Sequence, residues 1–300
     1  RLAWFYDEPF ADSSAVPTYY VSECARRHVT VALSGDGGDE NLAGYRKYKF
    51  NERLRGVRRR VPGPLRRGVF GTLGRIYPKA DWLPRMLRAR QTFQELAGSD
   101  LEAIYLSRAV VHPAVSSRLL NSALREQLAD YDPVSVIEEH YHRCRAGSPL
   151  NRELYTDIKT YLVDDILTKV DRASMAVALE VRVPLLDHRF VEFAARVPPE
   201  LKLHRGVGKY LFKEAFRGTL GPDIVDRPKQ GFSVPLGAWL KGPLRDMVED
   251  VVFAGDAHVV RWLDMRAVRS LWNAHLRGTR NVESMIWGVL MVEHWARNFL

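Results

Sequence analysis

The segment Val31 to Tyr45, VALSGDGGDENLAGY, constrains this chain most. An apolar, β-branched run from Val29 to Leu33 stops at Ser34. Three glycines and three acids then fall between Ser34 and Glu40, and a helix-like stretch carrying Tyr45 follows. A buried strand that feeds a Gly-rich turn and then a helix is the layout of phosphate and nucleotide sites. Glycine lets the backbone approach a ligand and aim its N–H groups at it. The carboxylates modify that reading, because Asp36 and Asp39 repel phosphate. They fit if one of them holds a Mg²⁺ that the phosphates share, or if one moves a proton. From spacing alone, a tight loop after a strand is the alternative. The turn lacks the Gly-Lys-Ser/Thr ending of a Walker A loop, the Rossmann spacing, and the acid at the twelfth position of an EF-hand.

With 300 residues, 46% hydrophobic and 27% charged, the chain has room for one large or two modest globular domains. No apolar run approaches the roughly 20 residues that span a bilayer. The start, RLAWFYDEPF, is neither a signal peptide nor a Met start, so the chain is expected to be a cut piece. Cys24 and Cys144 lie far apart and form neither a disulfide framework nor a metal spacing. They read as structural thiols in a reducing cytoplasm. The net charge of +9 is concentrated in RLRGVRRRVPGPLRRG, Arg53 to Gly68. Such a run is compatible with nucleic acid or anionic lipid. It has no interleaved aromatics and no nucleic-acid motif, so it reads as a solvated, Arg-rich helix pair broken at Pro62 to Pro64. Neither a nucleic acid nor a membrane is expected as a partner.

Residues 1–50 read as half of an α/β unit, with a helix near Ser14 to Arg27. Residues 51–150 read as a helical insertion with little direct chemistry, broken at Pro62, Pro64, Pro78, Pro84 and Pro113. Residues 151–300 form a helical C-terminal part. Its best helix runs from Asn151 to Leu179, where Leu154, Ile158, Leu162, Ile166 and Val170 recur every four residues. Asp165, Lys169 and Arg172 share one face of it. Val181 to Leu186 reads as an extended apolar piece running through Pro184, and Asp187 as the N-cap of the next helix. Gly206 to Phe216 reads as a short helix. Arg227 to Leu240 reads as an irregular loop, because Pro228, Gly231 and Pro235 forbid a continuous helix. An aromatic-rich helical tail follows from Val259. One clear strand is too thin for a buried parallel sheet, so other strands are expected to lie outside this sequence.

Four separated motifs then agree: SGDGGDENLAGY, TKVDRASMAVALEVRVPLLDH, GVGKYLFKEAF and RPKQGFSVPLGAWL. In this order they resemble landmarks of the asparagine synthetase family, glutamine-hydrolysing class B type, from Asp7 to about Leu240. The resemblance implies an α/β, mostly helical fold: a partial PP-loop ATP pyrophosphatase domain with large helical additions. It implies asparagine biosynthesis by a cytoplasmic ligase, with aspartate, ATP and Mg²⁺. Ammonia would come from a glutaminase domain that is not in this sequence, and a homodimer is compatible. That domain and the PP-loop are expected upstream of Arg1, so the piece alone is expected to be inactive. Relatives that amidate other carboxylates, and a β-lactam-synthetase-like cyclase, remain alternatives.

Carried over position by position, the resemblance implies that Ser34 and Gly35 lie beside the ATP ribose and adenine. Asp39 would bind Mg²⁺; helix capping is its alternative. Asp36 would act as base or orient the attacking group, against a plain turn-stabilising role. Tyr45 would face the acyl site, against a core aromatic. Lys229 would stabilise pyrophosphate, with Arg227 in support and Lys209 as a weaker phosphate candidate. Glu180 and Arg182 would line the substrate pocket, against an internal ion pair that fixes the strand. Asp165, Asp171 and Arg172 are expected to be structural.

Overall fold

The computed structural model describes residues 1–77, 89–109, 113–228 and 231–300, without side chains at 113 and 114. Pro78, Pro84 and Lys229 lie outside the described residues. The chain is mostly helical, with two small two-stranded sheets among the described residues. β1, Val31–Leu33, pairs in parallel with β2, Glu180–Arg182, in the register Val31↔Glu180, Ala32↔Val181, Leu33↔Arg182. The strand read from the sequence therefore finds its neighbour inside the chain, in the LEVRVP motif. The extended piece expected from Val181 to Leu186 is shorter, because Pro184–Leu186 forms a 3₁₀ turn. Proline has no N–H to give to a ladder, so pairing ends before it.

The helix expected near Ser14 to Arg27 spans Ala15–Arg26. Pro17 sits in its first turn, where backbone N–H groups have no helical partner anyway. The long helix expected from Asn151 is in three parts: Pro149–Lys159, a π-helical turn Leu162–Leu167, and Thr168–Met175. Ser148 caps the first part through its side chain, and Leu154, Leu162 and Ile166 of the apolar stripe are buried. Asp187 caps His188–Arg196, accepting the Arg189 N–H at 3.0 Å. The helix expected from Gly206 starts later, at Tyr210–Leu220. Gly206 belongs to a hairpin between β3, Leu203–His204, and β4, Val207–Gly208. Arg205 and Gly206 both take positive φ, which is the two-residue hairpin geometry.

The largest core lies in the C-terminal part. Trp272 of Met265–Leu276, Ile286 and Leu290 of Glu283–Phe299, and Leu240 and Val248 pack together. The first helix, Leu2–Phe5, closes onto this core: Trp4 stacks on Phe299 with centroids 5.4 Å apart.

The Arg-rich run forms the expected helix pair, Arg46–Arg60 and Gly63–Ile76, broken at Val61 and Pro62. It is not wholly solvated. Arg55 and Arg58 are buried, because acids from other helices reach them. Arg55 pairs with the fully buried Glu153 and with Asp100, and Arg58 pairs with Asp100. Asn51 donates to Glu153 at 2.6 Å, and Arg108 reaches both Glu153 and Asp157. This network fastens the 51–150 segment to Pro149–Lys159. Removing Glu153 takes from Arg55, Arg108 and Asn51 the buried carboxylate they share, and breaking a buried pair costs about 3–5 kcal/mol. Glu153→Ala should lose about that much in urea denaturation; a loss below about 1 kcal/mol would show that packing, not this network, fastens the segment.

Lys202 is buried. Burial lowers its ammonium from 10.5 to about 8. The folded pKa is depressed, so the penalty is full below about pH 8. It fades between there and 10.5, where the folded state sheds a proton that the unfolded chain keeps. Lys202→Met should therefore be more stable than the parent at pH 7, with the advantage shrinking in melts taken toward pH 10. An advantage independent of pH would contradict this.

Candidate active site

β1 ends at a cleft of ≈ 990 Å³. Ligands of open parallel sheets bind just beyond the carboxyl ends of the strands, and this cleft occupies that place. The Ser34 N–H donates to the Arg182 carbonyl at 2.9 Å, extending the ladder by one residue. The chain then turns through Gly37, whose φ is +76°, and a Cβ there would collide with Leu186. Gly44 is equally constrained, since a Cβ would strike the Asp39 carboxylate and the Lys209 stem. Glycine at these two positions lets the turn fold back against Leu186 and Lys209.

Ser34, Asp36, Asp39 and Tyr45 all line the cleft. The Ser34 hydroxyl donates to Asp36 Oδ2 at 2.8 Å. The space that a Gly35 Cβ would occupy is open. Lys209 Nζ lies 3.1 Å from Asp39 Oδ1, so this lysine neutralises the acid at the turn. The Tyr45 hydroxyl donates to Glu40 Oε1 at 2.7 Å. Burial pushes the Tyr45 phenol far above its usual range, and the Glu40 charge adds to this. Burial also raises the Glu40 carboxyl, against the Tyr45 hydrogen bond. The Tyr45 ring meets Tyr48 and Tyr161 at centroid distances of 5.8 and 5.9 Å. Lys47 Nζ sits 4.2 Å from the Tyr161 ring centre and 3.2 Å from Asp157 Oδ2. Burial lowers the Lys47 ammonium, and Asp157 opposes that shift.

The opposite wall carries a second charged group. Lys169 Nζ is 2.7 Å from Asp12 Oδ2, which also accepts the Ser14 hydroxyl at 2.6 Å. Burial would raise the Asp12 carboxyl, but Lys169 and Ser14 hold it below its ordinary value. Asp165 projects from the π-helical turn into the same cleft. Burial and the neighbouring Asp12 raise it from 3.8 to about 6, and its buried Oδ1 has no hydrogen-bond partner. π-turns inside α-helices are frequent at functional sites.

The cleft gathers residues to which the sequence reading gave no role in the site, and leaves out two to which it did. Asp165, expected to be structural, faces the cleft. Lys47 and Asp12 had no motif of their own, and Arg108 reaches the cleft from the segment expected to carry little chemistry. Their signal was weak: Asp165 and Lys169 at i, i+4 read equally well as a structural face. Glu180 and Arg182 are not brought into the cleft. Strand alternation turns Val181 toward it and puts its neighbours on the other face, where they pair at 2.7 Å. Arg172 pairs with Asp7 at 3.0 Å on the surface. Lys229 lies outside the described residues, and Gly231, Phe232 and Ser233 just beyond it line the cleft.

Mg²⁺ uses hard oxygen ligands, usually one or two carboxylates with phosphates and waters completing the shell. Asp36 and Asp39 on one turn suit that demand. Among the described residues no group of three or more His, Cys, Asp or Glu side chains could hold a metal ion.

A Gly/Asp turn at the end of a short parallel strand pair thus faces a charged cleft. The family is shown by comparison: the chain belongs to the asparagine synthase family, whose model matches residues 1–297. It is 30% identical over 299 residues to the glutamine-hydrolysing asparagine synthetase 1 of Bacillus subtilis, covering 98% of this chain and 44% of that protein. It is 31% identical over 301 residues to a putative glutamine-hydrolysing asparagine synthetase of Mycobacterium tuberculosis, covering 100% of this chain and 44% of that protein. The rat asparagine synthetase is 33% identical over 120 residues, 38% of this chain and 21% of the enzyme. The chain thus spans less than half the length of these relatives. Among the described residues no helix is long and apolar enough to cross a membrane.

Asp165 gives a direct test of whether the cleft holds charge at the expense of stability. Its folded pKa is raised, so the folded state keeps a proton between pH 3.8 and about 6 that the unfolded chain has lost. Stability from this group therefore falls with pH across that window and stays reduced above it. Asp165→Asn should be more stable than the parent at pH 7 and equal to it near pH 4, by urea denaturation. A variant less stable at pH 7 would make Asp165 a structural residue.

Proposed function

We propose that this chain is the synthetase part of an ATP-dependent amidoligase that makes asparagine from aspartate. The observation that carries this reading is the convergence of Ser34, Asp36, Asp39 and Tyr45 on one cleft at the end of β1 in a chain of this family. The aspartate β-carboxylate attacks the α-phosphorus of ATP, pyrophosphate leaves, and an acyl-adenylate forms. Ammonia released from glutamine then attacks the acyl carbon, and AMP departs.

Ser34 and the open backbone at Gly35 take the adenosine end of ATP. Asp39 would hold Mg²⁺, which would offset the charge of the phosphates. Lys209 holds Asp39 in place when that cation is not there. Asp36 orients or deprotonates the attacking group, and its hydrogen bond from Ser34 fixes its direction. Tyr45 faces the acyl site, its hydroxyl kept protonated by burial and aimed by Glu40. Lys229 supplies positive charge to the departing pyrophosphate, where charge builds in the transition state.

Two measurements on the full-length gene product test this. Aspartate, ATP and glutamine should give AMP, pyrophosphate and asparagine in equal amounts. ADP and phosphate would overturn the adenylation, and AMP release only with another carboxylate would replace the substrate. Lys229→Ala should lower kcat by roughly a hundredfold, the scale of losing one preorganised charge, with little change in KM for ATP. An unchanged kcat would remove Lys229 from the site.

A further inference from the structure

The proposed reaction gives no role to Lys47 or Asp165, although both line the cleft that it uses. The two flank one residue. Lys47 Nζ lies 4.2 Å from the centre of the Tyr161 ring, and Tyr161 stands directly before the π-helical turn that carries Asp165. The Asp165 charge reaches that residue too, adding to the burial that raises the Tyr161 phenol. The charges on the two sides of Tyr161 are opposite. On one side Asp157 is shared by Lys47 and Arg108. On the other side Asp12 and Asp165 share Lys169. Lys169 and the Ser14 hydroxyl engage Asp12, while Asp165 Oδ1 is buried without a hydrogen-bond partner among the described residues. Asp157 takes only part of what Lys47 can donate, since an ammonium has three N–H groups. Tyr161 in turn meets the Tyr45 ring at 5.9 Å, which sets this pair of charges next to the Gly/Asp turn.

Different acceptors make different demands on such a pair. A sugar carboxylate brings hydroxyl groups to Asp165 and leaves its charge uncompensated in a half-buried place. A simple dicarboxylate brings only methylene groups or a second negative charge. An α-amino acid carries an ammonium and a carboxylate on one carbon, and it uses both sides. We propose that Lys47 and Asp165 clamp the head of an amino-acid acceptor, Lys47 donating to its α-carboxylate and Asp165 accepting from its α-ammonium. The Tyr161 ring lies beside the α-carbon, and the side-chain carboxylate is left to extend past Tyr45 toward the turn. The clamp rests on the reading of this cleft as an adenylation site. It adds the two residues that make the acceptor an amino acid rather than another carboxylate.

The test is calorimetric binding of aspartate, succinate, β-alanine and glucuronate to the full-length gene product. Mg²⁺ and an ATP analogue with a methylene α,β-bridge are present, so that no turnover occurs. Succinate is aspartate without its amino group, and β-alanine is aspartate without its α-carboxylate. The parent should bind aspartate at least about tenfold more tightly than either, because each analogue leaves one charge of the clamp unpaired. Asp165→Asn should bind aspartate at least about tenfold more weakly and succinate no more weakly, so that the preference for the amino group collapses. Lys47→Met should likewise lose the preference over β-alanine, and Lys47→Arg, which keeps the charge, should restore most of it. Circular dichroism melts confirm that the variants are folded, and Asp165→Asn decides the matter should Lys47→Met not fold. Folded variants that weaken aspartate and its analogue alike would make the two residues structural and overturn the proposal. A parent that binds succinate as tightly as aspartate, or binds none of the four, would overturn it as well. Tighter binding of glucuronate than of aspartate would overturn it in favour of a sugar carboxylate. Nucleotide products are followed in a separate assay with ATP. ADP in place of AMP would count against the adenylation alone and leave the binding comparison standing, while AMP formed with unchanged preferences in the variants would overturn the clamp alone.

Discussion

The parallel pairing of Val31–Leu33 with Glu180–Arg182 is the contact on which the rest of the site depends. It joins two segments separated by the whole helical region. One supplies the Gly/Asp turn, and the other follows directly from the helix that carries Tyr161, Asp165 and Lys169. The ladder sets the turn against the segment that follows Asp165 and Lys169, and the Tyr45–Tyr161 and Lys47–Asp157 contacts join the same two walls. The pairing is short and exposes one face, with Leu33 72% accessible. Its hold is reinforced at both ends. The Ser34 N–H bonds the Arg182 carbonyl beyond the ladder, and the Glu180 N–H bonds the Thr30 carbonyl before it.

Around that pair, the chain accepts unfavourable electrostatics where the cleft lies and compensates them elsewhere. The Glu153–Arg55–Arg108–Asp157 network adjoins the cleft, which Arg108 lines, and holds Lys47 and Tyr48 against Asp157. Arg108 and Lys47 keep the buried Asp157 ionised, below its ordinary range, against the burial that would raise it. On the other wall, Asp165 keeps an oxygen without a partner beside a second carboxylate. A carboxylate raised by burial and by a like charge, facing a cleft, is a candidate functional group.

Local signals were legible where neighbours in sequence decide the structure. The strand stop at Ser34, the Asp187 cap, the helix break at Pro62 and the apolar stripe from Leu154 depend only on nearby residues, and each was readable. What was not legible depends on contacts across the fold. The hairpin at Gly206 was hidden because glycine before a helical stretch serves a helix start and a hairpin turn equally. Arg55 and Arg58 looked solvated because Glu153 and Asp100, which bury them, are far away in sequence. Glu180 and Arg182 carry a strong motif, yet the pleat decides which face they take, and the motif contains no information about that face. Asp165 reaches the cleft through a π-turn, a departure of one residue from helical period that no apolar pattern announces.

The central claim is that the cleft at the end of β1 joins a carboxylate to the α-phosphate of ATP. The most direct measurement uses the full-length gene product and aspartate carrying oxygen-18 in its β-carboxylate. Adenylation transfers one carboxylate oxygen to the phosphoryl group of AMP when ammonia displaces it. The account predicts a single oxygen-18 in AMP by mass spectrometry, formed together with asparagine. Label in inorganic phosphate, with AMP unlabelled, would show attack at the γ-phosphate and contradict the account.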